Sequence, residues 1–332
     1  MKHSASAAPR LLTSSEYIEE LIKHIEHATQ HVTVFTMIIT DDESTDALID
    51  ALCAAAGRGV SVHVTSDIYT YGVMSAETDG RWWANRGIKA TRRMERRFTA
   101  GGVDFRWVGE LGPLVYAQRT HVKWCLVDDV VFSFGGINLY RNGINSTDYM
   151  IMLRDVTLAE RLKHEHLRIH RSERMGNRQR SHSFSCSAGE VLVDGGMFGS
   201  SIIYRHACEL ARQASHIVFV SQYRPSGQLA RLLAKTDSRL YFNRWQDAFG
   251  ANKIWLFLTA LFNRQQTRYR RKRYLHAKFI IFTLPGGHKV ALTGSHNFVR
   301  GGVWLGTREI ALETHNPDLI AQLEAFYKKH IA

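Results

Sequence analysis

Several common features are scarce in this sequence, and each scarcity narrows the reading. No stretch reaches the ~20 apolar residues that a membrane-spanning helix needs, so any action on a membrane is expected from the side. Residues 1–15 are small and polar, without an apolar core of signal-peptide length. The four cysteines (Cys53, Cys125, Cys186, Cys208) are scattered, with no Cys-x-x-Cys pair and no compact His/Cys cluster. Structural zinc is therefore not expected, and a reducing, cytoplasmic compartment fits best. Acidic residues are outnumbered, 31 against 43 Lys and Arg, for a formal net charge of +12. Such a balance suits a polyanion or an anionic membrane surface, and equally serves simple solubility.

The 332 residues allow two domains or one large duplicated one, and 45% hydrophobic content supports a sizeable core. The most informative stretch occurs twice. The first copy runs His121-Val-Lys123-Trp-Cys-Leu-Val-Asp128, then six residues, then Gly135-Gly136-Ile-Asn138. The second runs His276-Ala-Lys278-Phe-Ile-Ile-Phe-Thr283, then a longer gap, then Gly294-Ser295-His-Asn297. If each lies on a strand, the His and Lys at i and i+2 face the same way. Two such strands meeting would set two imidazoles and two ammonium groups around one cavity, a site for phosphate.

The surroundings repeat as well. A helix from Ser14-Ser15-Glu16, a strand over His31–Ile39, a helix over Thr45–Ala56 and a strand over Val60–Thr65 precede the first copy. A helix over Ser201–Ala214, a strand over Ile217–Gln222, a helix over Ser226–Lys235 and a strand over Ser238–Asn243 precede the second. Strand, helix, strand with a short glycine turn gives βαβ units and a parallel or mixed sheet. Element order repeated together with the motif predicts an α/β duplication with the site between its halves. The halves are expected at 14–155 and 191–332, with 156–190 as an irregular linker. Its basic helix, Arg161 to Arg171, carries His164, His166 and His170, with His182 further on. Flanking arginines and the missing carboxylate pair make that helix solvated rather than metal-binding.

Two basic stretches have two readings each. Arg81 to Phe98 interleaves Trp82 and Trp83 with arginines, which suits a phosphodiester backbone or lipid headgroups, or a helix with its tryptophans inward. Ile254 to Phe262 is strongly apolar and is followed by Arg264 to Arg273. It suits an interface with anionic headgroups, or a buried helix with a basic end.

The paired His-x-Lys-x4-Asp-x6-Gly-Gly-x-Asn pattern resembles the signature of the phospholipase D superfamily. The likeness covers about residues 15 to 330. The run Phe-Gly-Gly-Ile-Asn and the later Gly-Thr-Arg-Glu309 are most similar to bacterial cardiolipin synthase-like and phosphatidyltransferase-like members. Two departures stand out: Thr283 replaces the motif Asp, and four extra residues form a longer turn before Gly294. In that family the Asp is not the reacting group, so Asp128, Gly135, Gly136, Gly294 and Ser295 are expected to give local support.

The resemblance implies phosphodiester hydrolysis or exchange without metal or cofactor, in an active site complete within one chain. His121 would attack phosphorus and form a phosphohistidine, and His276 would protonate the leaving alkoxide, although sequence symmetry permits the reverse. Lys123, Lys278, Asn138 and Asn297 would hold the phosphoryl oxygens. Asp148 and Glu309 would each accept a hydrogen bond from one histidine. The expected substrate is a phospholipid, on the inner face of a membrane to which the protein binds peripherally. DNA or RNA is the alternative, as for nucleases of the superfamily. Small nucleases of this kind carry one motif per chain and dimerise, whereas this chain carries both.

Overall fold

The computed structural model describes residues 8–76, 86–110, 119–175, 178–244, 246 and 265–332. Trp82, Trp83 and the apolar run 254–262 lie outside the described residues.

The first half begins β1 (Arg10–Thr13), α1 (Ser14–Glu26), β2 (His31–Thr36), α2 (Asp46–Gly57) and β3 (Ser61–Asp67). It continues α3 (Tyr69–Ala76), α4 (Arg86–Ala100), β4 (Asp104–Val108), β5 (Trp124–Val127), β6 (Val130–Ser133), α5 (Arg141–Ile144) and β7 (Tyr149–Arg154). The helix α6 (Val156–Arg174) leads into β8 (His182–Cys186) and β9 (Gly189–Gly195). Then come α7 (Ile202–Gln213), β10 (His216–Val220), α8 (Gly227–Leu233) and β11 (Asp237–Tyr241). The chain closes with β12 (Phe279–Thr283), β13 (Lys289–Gly294), α9 (Arg300–Trp304), β14 (Arg308–Thr314) and α10 (Pro317–His330).

These strands form two seven-stranded mixed sheets, ordered β1-β7-β6-β5-β2-β3-β4 and β11-β10-β12-β13-β14-β9-β8. Read in opposite directions the orders superpose, with β1 matching β9, β2 matching β10 and β5 matching β12. The extra strand is β4 in one sheet and β8 in the other. The fold is thus a duplicated α/β architecture with pseudo-two-fold symmetry.

Both faces of each sheet are covered, which is why the central strands read as continuous apolar runs rather than alternating ones. Trp124 and Leu126 of β5, with Phe279 and Ile281 of β12, join a core between the sheets. Cys125 and Val127 point the other way, onto the side chains of α1, α2 and α4. Ile280 and Phe282 pack outward with α7 and α8.

The stretch 156–190 departs from the irregular linker expected there. Most of it is α6 and β8, and α6 is not solvated: Leu158, Leu162 and Ile169 belong to the core between the sheets. His166 is buried edge-on against Phe35. Glu165 is buried as well, paired with Arg168 and His182, each at 2.9 Å. Its charged residues hid an apolar stripe at i, i+4, i+11 that faces both sheets.

In α4 two of the basic residues have acidic partners. Arg93 and Arg97 bind the buried Asp41, and Arg97 also reaches Asp46 and Asp50, while Ile88, Met94 and Phe98 face inward. These two arginines are committed to the fold rather than presented to a phosphodiester. Among the described residues, no helix is long and apolar enough to cross a membrane.

Candidate active site

His121 and Lys123 are not on a strand, as their spacing suggested, but in the extended segment leading into β5. His276 and Lys278 likewise precede β12. The reason is that their backbone partners lie in the other half. The segment before His121 makes a parallel bridge, Thr120 to Arg308, and His121 N donates to Arg308 O at 2.8 Å. Symmetrically, Thr147 bridges Leu275, and His276 N donates to Thr147 O at 3.0 Å. Each histidine is therefore sewn to the residue that precedes the other half's acid.

This exchange decides the pairing of side chains. His121 Nδ1 lies 3.0 Å from Glu309 Oε1, and His276 Nδ1 lies 2.6 Å from Asp148 Oδ2. Both carboxylates are buried, and each braces the imidazole of the opposite half. With Nδ1–H donated to a carboxylate, each ring keeps Nε2 for chemistry. Glu309 also accepts from Ser295 Oγ at 2.5 Å. Burial works to raise the Glu309 carboxyl, but His121, His296 and Ser295 outweigh it and hold it down to about 2. Burial and the neighbouring Lys278 push His276 down to about 4 despite Asp148, so the ring is neutral in the ligand-free site.

The lysines line the same space. Lys123 Nζ donates to the carbonyl of His121 at 3.0 Å, and Lys278 Nζ to that of His276 at 2.6 Å. Both are almost fully buried, and burial lowers Lys123 to about 8. Burial, together with the charge of Lys123, lowers Lys278 to about 7. Two ammonium groups held in a dry site at this cost are poised for an anion. The buried Oδ1 atoms of Asn138 and Asn297 have no protein partner. Each is a buried acceptor left open to a donor that the fold does not supply, such as a hydroxyl of a ligand.

The glycines keep this space open. A Cβ on Gly136 would stand 2.6 Å from Asp148 Oδ2 and 2.8 Å from Lys278 Nζ. Gly135 and Gly294 occupy matching places, where a Cβ would strike the carbonyl of Tyr149 at 1.8 Å and of Ile310 at 2.2 Å. Ser295 stands where the first copy has Gly136, and uses its hydroxyl on Glu309.

Asp128 lies at the far end of β5, away from the lysines. Its carboxylate accepts the backbone N–H groups of Thr29, Gln30 and His31, each at 3.0 Å, and so fixes the turn before β2. Thr283 holds the equivalent turn by another route: its carbonyl accepts from Ser215 N at 2.8 Å and Ser215 Oγ at 3.0 Å. That exchange explains how the second copy tolerates losing its Asp. The longer turn after Thr283 places Gly286 and Gly287 at φ of 89° and 85°, a left-handed pair that glycine adopts without strain.

Four residues here were not singled out from sequence. His296 is buried, and its Nδ1 accepts from Phe298 N at 2.8 Å, so its proton sits on Nε2. Arg308, also buried, binds Glu173 and donates to Ser172 Oγ at 2.8 Å. Tyr149 hydroxyl bonds Thr293, whose own hydroxyl donates to Phe134 O at 2.8 Å, fastening the halves behind the site. Only His296 had a sequence signal, as the residue replacing Ile137 between copies. Among the described residues, no cluster of three or more His, Cys, Asp or Glu side chains could hold a metal ion.

Residues 21–169 match the family model described as cardiolipin synthase, PLD-like domain. No curated protein matches the chain. Among solved structures, phosphatidylserine synthase from Haemophilus influenzae Rd KW20 superposes with a TM-score of 0.73 at 14% identity, covering 98% of this chain and 86% of that one. Polyphosphate kinase from Porphyromonas gingivalis superposes at 0.61 and 13% identity, over 96% of this chain and 46% of that one. At these identities the superpositions speak to fold, and they extend the likeness through the second half that the family model does not reach. The family match thus places a PLD-like domain at residues 21–169, and the solved structures share the fold of the whole chain.

Proposed function

We propose that the protein is a phosphatidyltransferase or phospholipase acting on phospholipids through a phosphohistidine. The observation that carries this reading is the reciprocal pair of His–carboxylate contacts, His121 with Glu309 and His276 with Asp148, beside two buried lysines. The description of the matching family model supports the lipid class of substrate.

His121 attacks phosphorus through Nε2, the bond from phosphorus to the leaving oxygen breaks, and His276 gives that oxygen its proton. Water or an alcohol then loses its proton to His276 and attacks phosphorus, and the P–N bond to His121 breaks. Lys123, Lys278, Asn138 and Asn297 hold the non-bridging oxygens as charge builds on them. In the ligand-free site His276 is neutral; the negative charge of the bound phosphodiester raises its proton affinity, and Lys278 Nζ, 3.3 Å from Nε2, sits close enough to pass a proton to that nitrogen. No metal takes part in this scheme. The complete set comes from one chain, so a monomer suffices.

The test incubates the protein with phosphatidylglycerol vesicles and, separately, with single-stranded DNA, using His121→Ala as control. Lipid turnover that the variant lacks is expected. Degraded DNA beside unchanged lipid replaces this reading with a nuclease. Mapping the trapped phosphoenzyme settles the roles of the histidines, and label on His276 reverses them.

A further inference from the structure

Large apolar side chains stand in water at one end of the second sheet. Phe198 and Trp304 are 57% and 59% exposed, and Met197 is 38% exposed. Met197 and Phe198 lie on the loop after β9 and Trp304 ends α9, and the two segments touch through their backbones: Gly199 N donates to Val303 O at 2.9 Å, and a Cβ on Gly306 would approach Phe198 N to 3.3 Å. Nothing in the fold requires these side chains to be apolar. Burial on the protein's own core would have been the lower-energy choice, so their exposure points to a partner.

Their position relates them to the site. Glu309 pairs with Asp194 and Arg308 with Gly195 in the ladder between β14 and β9. Met197 and Phe198 follow within four residues of Asp194, on the order of 10 Å along the chain from the brace of His121. Trp304 precedes Glu309 by five residues. The apolar tip thus borders the His121–Glu309 side of the site.

Cations surround it. Arg180, Arg205 and Met197 line a concavity of about 250 Å³ beside the tip. Arg300 stacks over the Trp304 ring at 5.5 Å. Aromatic and sulfur side chains ringed by arginine match the boundary of an anionic bilayer, where rings enter the headgroup layer and guanidiniums meet phosphate. A soluble polyanion would use the arginines but leave the apolar tip exposed.

We infer that Met197, Phe198 and Trp304, with Arg180, Arg205 and Arg300, form a docking tip that seats the active-site mouth on an anionic lipid bilayer. This rests on the phospholipid reading of the site. The tip accounts for how a chain with no spanning helix among its described residues meets a lipid headgroup at the surface.

The experiment measures sedimentation with vesicles of phosphatidylglycerol and phosphatidylcholine mixed equally, and of phosphatidylcholine alone. Turnover of soluble bis(p-nitrophenyl) phosphate serves as the readout of the catalytic centre. M197S/F198S/W304S is expected to bind mixed vesicles at least tenfold more weakly while hydrolysing the soluble ester normally. R180E/R205E is expected to lose binding to the mixed vesicles, by about fivefold or more per arginine, and little on the neutral ones. Hydrogen exchange on the wild type should slow at 196–200 and 300–306 when mixed vesicles are added. Wild-type sedimentation of the triple variant overturns the inference, as does wild-type protein that ignores both vesicles, which would leave the tip to a protein partner. Vesicle binding through the tip by an enzyme that cleaves only DNA upholds the docking surface and refutes the lipid substrate.

Discussion

Glu309→Gln is the sharpest test of the cross-half brace. The carboxylate lies 3.0 Å from His121 Nδ1 and is buried, so the pair is poorly screened. With charge centres ~4 Å apart and an effective dielectric of ~20, its attraction for a developing imidazolium is about 4 kcal/mol. At ~1.4 kcal/mol per decade, losing it slows the attack by about a thousandfold. The amide brings a second penalty. Ser295 Oγ donates to this side chain, so the new amide must offer it oxygen and turn its NH2 group toward His121. The ring then has to present a lone pair at Nδ1 and carry its proton on Nε2, which removes the nucleophile. Both effects fall on kcat, because neither touches the groups that hold the phosphoryl oxygens. The assay is the burst and steady state of bis(p-nitrophenyl) phosphate turnover, with the thermal transition as a check on folding. Asp148→Asn makes the informative comparison: p-nitrophenolate leaves without a proton, so this variant should keep its burst with the activated ester. It should fail by more than a hundredfold on an alkyl phosphodiester. A natively folded Glu309→Gln with more than a tenth of wild-type kcat would refute the brace.

Three further expectations follow from the same geometry. Gly136→Ala places a methyl group against Asp148 and Lys278, and should cost more than a hundredfold in activity; wild-type kinetics would mean that the site is looser than described. The alkaline limb of kcat/KM should lie between pH 7 and 8, because Lys278 and Lys123, lowered by burial to about 7 and about 8, lose their positive charge as pH rises through those values. The limb of kcat should lie higher, since a bound phosphodiester favours the charged lysines, and a flat kcat/KM up to pH 9 contradicts this. Asp128→Ala should lower stability by about 2 kcal/mol, seen as a fall in Tm, with activity per folded molecule retained. Burial raises the Asp128 carboxyl, but the backbone N–H groups outweigh it and leave it below its usual value. Its contribution is therefore full above the unfolded pKa of ~3.9 and lost as pH falls through the lower folded value, so wild type and variant should converge in acid.

Much of this protein can be read from its residues in order. Apolar runs bounded by glycine and polar turns specify strands and helices locally, and their recurrence before His121 and again before His276 declared the duplication. The residue types around the site were legible for the same reason, since His, Lys, Asn and acid recur at matched offsets. The reading failed where a residue's partner lies far away in the chain. α6 looked solvated because its charges mask a stripe that becomes apolar only against two sheets. The replacement of the motif Asp by Thr283 stood as a departure in local support, and the contact of Ser215 with the Thr283 carbonyl shows how that turn is held. Above all, which acid serves which histidine was invisible in sequence, where Asp148 follows His121 and Glu309 follows His276. The tertiary structure crosses the pairs, because the backbone leading into each histidine bonds to Arg308 or Thr147 of the other half. A local pattern can name the groups in a site, but the distance between 121 and 309 is decided only by packing one half on the other.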